Sequence, residues 1–128
     1  MGLEHRFDGD VMYATASDPM TLADIREHLV QERAEGGLAC LELIDARAVT
    51  TVMSTAEVRS LVALLRGWSH EQPLGPTAIV VSTDGAFGMV RMLDMLVEDF
   101  CEVRAFRDLT AAETWLFESR SGNTQTEV

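Results

Sequence analysis

Hydrophobic positions recur with different periods along the chain, and these periods divide it into strands and helices. Short apolar or alternating runs between turn residues predict strands, whereas apolar residues three and four positions apart predict helices. Residues 76–108 combine both patterns, because a buried strand, a polar turn, an amphipathic helix and a second strand follow one another there. This stretch predicts a βαβ unit, in which a helix connects two parallel strands of one sheet.

The other elements extend this unit in both directions. Leu3–Phe7 and Val11–Ala16 surround an Asp-Gly turn and predict a β-hairpin. Further strands are predicted at residues 38–44, 77–82 and 102–106, and helices after residues 21, 54, 84 and 108. The predicted fold class is α/β, in the order β-β-α-β-α-β-α-β-α, with four helices and a mixed, mostly parallel sheet. We expect one domain over residues 1–118, the hairpin strand at or near a sheet edge, and a flexible C-terminal tail over 119–128.

Several polar residues mark element boundaries. Thr21 and Ser54 each stand three residues before an acid, which is the spacing of a capping box. Asp84 is the predicted cap of the third helix. Glu42 interrupts the apolar run 38–44, and we expect it to tilt toward an open sheet edge or to pair with an arginine.

The charge balance excludes several classes of function. The net charge is −11, and all ten basic residues are arginines. Nucleic acids and anionic membranes need clustered positive charge, so neither is an expected partner. Without lysine, the chain has no Schiff-base chemistry and no Walker-type phosphate loop. No apolar run approaches the ~20 residues that span a bilayer, and the polar N-terminus is unlike a signal peptide, so we expect a cytoplasmic protein without a membrane span.

The sequence carries no metal or cofactor signature. His5, His28 and His70 fall on a strand, a helix and a loop, without the spacing of a zinc motif. Cys40 and Cys101 fall in or beside predicted strands, and we expect reduced, mostly buried thiols. The glycine-containing turn before the third helix is too short for a dinucleotide fingerprint. We therefore expect no metal site and no cofactor.

Three motifs follow one another along the chain: MTLADI at 20–25, LIDAR at 43–47, and FGMVR at 87–91 with FRD at 106–108 and WL at 115–116. Together with the order of the elements, they resemble the SpoIIAA-like branch of the STAS superfamily over about residues 3–117. Bacterial anti-sigma-factor antagonists and, more loosely, lipid-binding SEC14 domains share this fold. The resemblance implies a non-enzymatic module that acts through protein contacts.

The same resemblance draws attention to the start of the second helix. Antagonists that switch by phosphorylation carry Asp-Ser-Ser-Gly there, whereas this chain has Met-Ser-Thr-Ala at 53–56. Hydroxyls remain at Ser54 and Thr55, but the acid and the glycine are replaced. A helix N-terminus would favour an added phosphate. We predict a capping role for Ser54, and the sequence leaves open whether Ser54 or Thr55 is ever phosphorylated.

Ligands of parallel sheets usually bind beyond the carboxyl ends of the strands. The residues predicted to form this strand-end rim are Asp45, Arg47, Ser54, Thr55, Ser82, Thr83, Asp84, Gly85 and Arg91. Gly85 and Gly88 would expose backbone N–H groups to an anion that Arg91 could also reach. The alternative is structural, with Asp84 as a cap and Arg91 in an ion pair with a nearby aspartate.

The third helix carries more apolar residues than one buried stripe requires. Phe87, Met89 and Met92 are the predicted hydrophobic contact face, which could pack in the core, meet a second subunit or line a groove for an apolar ligand. We therefore expect a protein-interaction or regulatory module that self-associates as a homodimer, with or without a further protein partner. The first alternative is a binder of a small apolar or amphipathic ligand, by analogy with SEC14 domains. The second is a small enzyme that uses the strand-end rim.

Overall fold

The computed structural model describes residues 2–126, and the side chains of residues 2–120. The strands are β1 (Leu3–Asp8), β2 (Val11–Ser17), β3 (Leu41–Ala48), β4 (Thr77–Val80) and β5 (Val103–Phe106). The helices are α1 (Leu22–Ala34), α2 (Thr55–Ser69), α3 (Asp84–Val97) and α4 (Leu109–Thr126). The α/β class and the element order predicted from the sequence are confirmed.

The five strands form one sheet in the order β1-β2-β3-β4-β5. The edge strand β1 is antiparallel to β2, and every other pair is parallel. Because parallel crossovers are right-handed and each one here steps to the next strand in the same direction, α1, α2 and α3 lie on one face. Helix α4 packs on the other face against β3, β4 and β5.

Alternation along the strands divides the core into two layers. Leu41 and Leu43 of β3 pack toward α4, whereas Ile44 and Ala46 point toward the three-helix face. Glu42 has the parity of Ile44 and Ala46, so its carboxylate enters the three-helix layer. The expectation that Glu42 tilts toward an open edge or pairs with an arginine is wrong, because β3 is the central strand and α1 covers this position.

The turn and cap chemistry of the sequence is largely retained. Gly9 turns the hairpin with a φ of 64°, a left-handed conformation that favours glycine. Thr21 and Ser54 cap α1 and α2 through complete capping boxes, as predicted. Helix α3 is capped by Thr83, whose hydroxyl accepts from the Ala86 N–H at 3.1 Å. The predicted cap at Asp84 is wrong because Asp84 is already the first helical residue.

Two boundaries differ from the sequence prediction. Strand β3 covers residues 41–48 rather than 38–44, because the chain turns at 37–40 and the Cys40 N–H donates to the Gly37 carbonyl. Helix α4 continues to Thr126, beyond the predicted domain end at 118, and its polar last turns carry no apolar period. Residues 127–128 of the predicted tail lie outside the described residues. Among residues 2–126, no helix is both long and apolar enough to cross a membrane.

Candidate functional site

Three ionisable side chains meet in the interior between α1 and β3. His28 and Glu32 are one helical turn apart on α1, and Glu42 projects toward them from β3. The exposed fractions are 5% for His28, 1% for Glu32 and 7% for Glu42. We call these residues the buried cluster. Charged groups are seldom buried so completely without a partner, so this arrangement is unusual for an ordinary core.

The distances from His28 to the two carboxyls of the buried cluster are too long for hydrogen bonds. His28 Nε2 lies 3.7 Å from Glu32 Oε1 and 3.7 Å from Glu42 Oε2, whereas an N–H···O bond spans about 2.7–3.2 Å. These three atoms are buried and have no hydrogen-bond partner. One potential ligand atom from each of the three residues lies within 4.8 Å of the other two. Each residue therefore presents an unused polar atom to the same small space.

Burial raises the pKa of two acidic groups in and beside the buried cluster, the Glu32 carboxyl and the Cys101 thiol. Burial, followed by the neighbouring Glu42 carboxylate, raises the pKa of Glu32 to about 9. Burial likewise raises the pKa of the Cys101 thiol to about 11, with a smaller contribution from Glu42. Glu32 therefore holds its proton at neutral pH, and Cys101 is an unreactive thiol rather than a nucleophile. Both cysteines are free, as predicted, although each is half-buried rather than fully covered.

Neighbouring side chains hold the buried cluster and connect it to the surface. The Thr77 hydroxyl lies 3.3 Å from the second oxygen of Glu42 and donates to it. The His5 ring meets the His28 ring edge-on, with centroids 5.0 Å apart. His5 Nε2 is 2.7 Å from Glu35 Oε1, and this bond lowers the pKa of the exposed Glu35 carboxyl. A polar path thus runs from Glu35 through His5 to the interior.

The buried cluster lies at one end of a cavity of about 160 Å³ between the sheet and the three-helix face. The rest of the cavity wall is almost wholly apolar and includes Ile25, Leu29, Ile44, Leu61, Val81 and Leu93. Glu42 and Thr77 stand at the amino ends of their strands, so the polar end lies opposite the strand-end rim predicted from the sequence. The cavity therefore has an apolar body and a single acidic end.

The strand-end rim is present, but most of its polar side chains satisfy one another. Asp45 pairs with Arg47 at 2.8 Å, and this contact lowers the pKa of the Asp45 carboxyl. The Ser82 hydroxyl donates to the Arg47 carbonyl at 2.7 Å. Asp84 pairs with Arg107 at 2.7 Å. These contacts join the loops at the carboxyl ends of β3, β4 and β5.

Two caps and one aspartate complete the rim. Ser54 and Thr83 cap helices, while Thr55, Gly85 and Arg91 are exposed. Within the described residues, no ion pair includes Arg91, so the pairing suggested as its structural role is not formed. Asp18 was not among the residues predicted for the rim; its carboxylate accepts from the backbone N–H and hydroxyl groups of residues 50 and 51. These hydrogen bonds lower the pKa of Asp18 to about 2.

The predicted contact face of α3 does not form one surface. At about 100° per residue, Phe87 and Met89 point to nearly opposite sides of the helix. Met89 lines the cavity, and its sulfur accepts from the Met53 N–H at 3.2 Å. Phe87 lies under the Arg107 guanidinium, and Met92 packs against the core. All three are half-buried, whereas Met95 is 66% exposed.

Self-association through α3 stays a prediction, and Met95 offers a cleaner test of it than Met92. We expect a wild-type dimer at micromolar concentration, and we expect Met95→Glu to weaken it at least about tenfold because a charge would enter an apolar contact. Met95→Leu, which keeps the side chain apolar, is the matched control. Sedimentation velocity measures all three proteins. A monomeric wild type would contradict the dimer, and a variant that stays dimeric would place the interface elsewhere.

No protein-family model, curated protein or solved structure matches this chain. The resemblance to the SpoIIAA-like branch of the STAS superfamily therefore stays a prediction based on the motifs and the element order.

Proposed function

We propose that this chain binds a small amphipathic molecule in its internal cavity, with the apolar part along the helices and the polar group at the buried cluster. The observation that carries the proposal is the combination of an apolar cavity of about 160 Å³ with three unpartnered polar atoms at one end. Binding sites commonly pair an apolar wall with a few convergent polar groups. This is the ligand-binding alternative of the sequence analysis.

The volume limits the size of the ligand. A cavity of about 150 Å³ in another protein holds one benzene molecule, so this cavity suits a molecule of roughly six to ten non-hydrogen atoms. A long-chain lipid of the kind that the SEC14 analogy suggests is too large. A ligand this small binds with a dissociation constant on the order of 0.1–1 mM, given the free energy available per atom.

The chemistry of the buried cluster limits the polar group. Glu42 presents one carboxylate oxygen to the cavity end, and a second carboxyl, Glu32, lies beside it. A carboxylate ligand would meet like charge without an arginine to offset it. A protonated amine or a hydroxyl would instead donate a hydrogen bond to these oxygens. The preferred ligand is therefore a small aromatic or branched amine or alcohol.

Size-matched probes test this proposal. We expect benzylamine and phenol to bind and benzoate to bind at least about tenfold more weakly, because only benzoate brings a negative charge to the acidic end. Isothermal titration calorimetry and methyl chemical-shift changes in the isoleucines and leucines of the cavity wall measure the binding.

A pair of alanine-to-leucine variants, one inside the cavity and one at the surface, tests whether the probes bind in the cavity. Ala46 is buried in the cavity wall, whereas Ala63 is exposed on α2. We expect Ala46→Leu to remove probe binding and Ala63→Leu, which adds the same atoms at the surface, to leave it unchanged. The proposal fails if the wild type binds none of the probes, or if Ala46→Leu binds them as tightly as the wild type does.

A further inference from the structure

The buried cluster is costly for a metal-free protein. Two carboxyls and an imidazole are removed from water, and within the described residues no arginine lies with them in an ion pair. Buried polar groups are normally hydrogen-bonded, and each exception calls for a physical reason. Here three exceptions from two separate elements occur together: His28 Nε2, Glu32 Oε1 and Glu42 Oε2. A cation that accepts lone pairs from all three atoms would satisfy them together, and its binding would release to water the proton that Glu32 holds in the metal-free protein.

We propose that His28 Nε2, Glu32 Oε1 and Glu42 Oε2 are the protein ligands of a divalent transition-metal ion, with zinc as the best fit. Zinc binds imidazole nitrogen and carboxylate oxygen at about 2.0–2.2 Å. Two such ligands separated by an angle of about 110–125° at the ion lie about 3.4–3.7 Å apart. The two observed separations of 3.7 Å match this spacing and exceed that of a hydrogen bond.

The ligand types narrow the choice of metal. An imidazole nitrogen favours zinc, iron, copper or nickel over magnesium and calcium, which prefer all-oxygen sites. A thiolate would favour zinc strongly, but Cys101 is not one of the candidate ligands. It lines the cavity at another place. One nitrogen and two carboxylates therefore make a mixed site of the kind that zinc accepts.

The surroundings supply a second layer of contacts for this site. The Thr77 hydroxyl donates to the Glu42 oxygen that faces away from the ion position, and such contacts hold metal ligands in place. The His5 ring packs against His28 and borders an outer groove that includes Gln31 and Glu35.

Three protein ligands leave one position of a tetrahedral ion open toward the cavity. Catalytic zinc sites share this three-ligand arrangement, whereas structural sites use four protein ligands. The metal site does not depend on the proposed apolar ligand, because its three ligands and their spacing are set by α1 and β3 alone. The zinc ligands include the same carboxyl oxygens that the amine or alcohol would contact, so binding of that ligand is proposed for the metal-free protein.

Zinc titration of the full chain tests the proposal. We expect the wild type to bind one Zn²⁺ at micromolar concentration or below in isothermal titration calorimetry. Glu32→Gln and Glu42→Gln should weaken this binding at least about 100-fold, because each removes one of three ligands. Glu27→Gln and His70→Gln are the matched controls, since both residues are exposed and lie outside the cluster. Both controls should bind zinc as the wild type does.

Cobalt substitution reports the geometry of the same site. Co²⁺ bound to the wild type should show the intense visible absorption of a four-coordinate ion, and Glu32→Gln should lose it. Glu32→Gln also removes a buried carboxyl, so we expect it to fold at least as well as the wild type at neutral pH, and lost binding would not reflect unfolding.

The outcomes separate the metal site from the cavity ligand. Ala46→Leu should keep zinc binding while it loses benzylamine and phenol, because Ala46 is not a metal ligand. The metal proposal is overturned if zinc binds the wild type no more tightly than it binds Glu32→Gln, which would indicate adventitious surface binding only. It is also overturned if the His70→Gln control loses binding instead.

Discussion

Glu32→Gln should make the metal-free protein more stable above about pH 6, by an amount that grows with pH. The pKa of Glu32 is raised from 4.5 to about 9 by burial and by Glu42. Below pH 4.5 the carboxyl is neutral in both the folded and the unfolded chain, so it carries no penalty. As the pH rises, the unfolded chain loses this proton while the folded protein retains it, so folding stability falls until the pH reaches about 9.

The expected size is large for one side chain. Between pH 4.5 and pH 7 the retained proton lowers the free energy of unfolding by roughly 3 kcal/mol. A small domain is stable by only about 5–15 kcal/mol in total. The neutral amide of Glu32→Gln has no proton to retain, so the variant should lack this decline and exceed the wild type by roughly 3 kcal/mol at pH 7 and by more at pH 8.

Urea unfolding in the presence of a chelator, at steps from pH 4 to pH 9, measures this difference. Glu42, Glu35 and Cys40 interact electrostatically with Glu32, and His28 lies 3.7 Å from it; all four residues are present in both proteins. To first order, the difference between wild type and variant therefore isolates Glu32. A difference that stays constant with pH, or a wild type that is more stable at pH 8, would contradict the prediction.

Glu35→Gln is the control of opposite sign. The hydrogen bond from His5 lowers the pKa of Glu35, so its carboxylate stabilises the folded protein above its ordinary pKa of 4.5 and loses that effect as the pH falls. The variant should be slightly less stable than the wild type at neutral pH, and the two should converge in acid. Glu32 lies in the last turn of α1 and Glu35 is the C-cap of the same helix. Opposite trends would show that the burial of Glu32 and the hydrogen bond from His5 to Glu35, rather than position along the helix, set the two effects.

The sequence predicted the fold well because a strand or helix with one buried face carries apolar residues at regular intervals. The hairpin, the capping boxes at Thr21 and Ser54, and the parallel order all follow from local patterns. The end of α4 could not be predicted in the same way, because its last turns are polar. The start of β3 was misplaced because the apolar residues of 38–40 belong to a turn.

The buried cluster was also visible in the sequence, as polar residues at positions where the pattern predicts apolar ones. His28 and Glu32 stand three and seven residues after Ile25, which are positions of the apolar stripe on α1. Glu42 stands within an apolar strand. Polar residues at three core positions were the available sign, but only the pairing of α1 with β3 brings them together. The carboxyl ends of parallel strands are the usual place for a ligand, whereas the buried cluster lies at the amino ends of β3 and β4.

The same amino end of the sheet depends on a close backbone approach at Gly75, and Gly75→Ala should destabilise the protein severely. A Cβ at this position would lie 2.0 Å from the Cys40 carbonyl oxygen and 2.7 Å from that of Ala39. Backbone atoms cannot yield as a flexible side chain can, so the loop before β4 must shift away from the turn before β3. That shift would strain the bond from the Gly75 N–H to the Leu38 carbonyl, now 2.8 Å long.

We expect Gly75→Ala to lower the free energy of unfolding by about 3 kcal/mol or more, because overpacking against backbone lies in the severe range of single substitutions. Gly88→Ala is the matched control: its Cβ would meet nothing within 4 Å on the exposed side of α3. Because alanine favours a helix interior over glycine by up to about 1 kcal/mol, this control should be as stable as the wild type or more so. Urea unfolding of the three proteins compares them, and a Gly75→Ala protein with wild-type stability would show that the two loops are not in contact. In Gly75→Ala, the shift of the loop should also displace Thr77, which lies two residues after Gly75. It should therefore weaken the hydrogen bond from the Thr77 hydroxyl to Glu42 of the buried cluster.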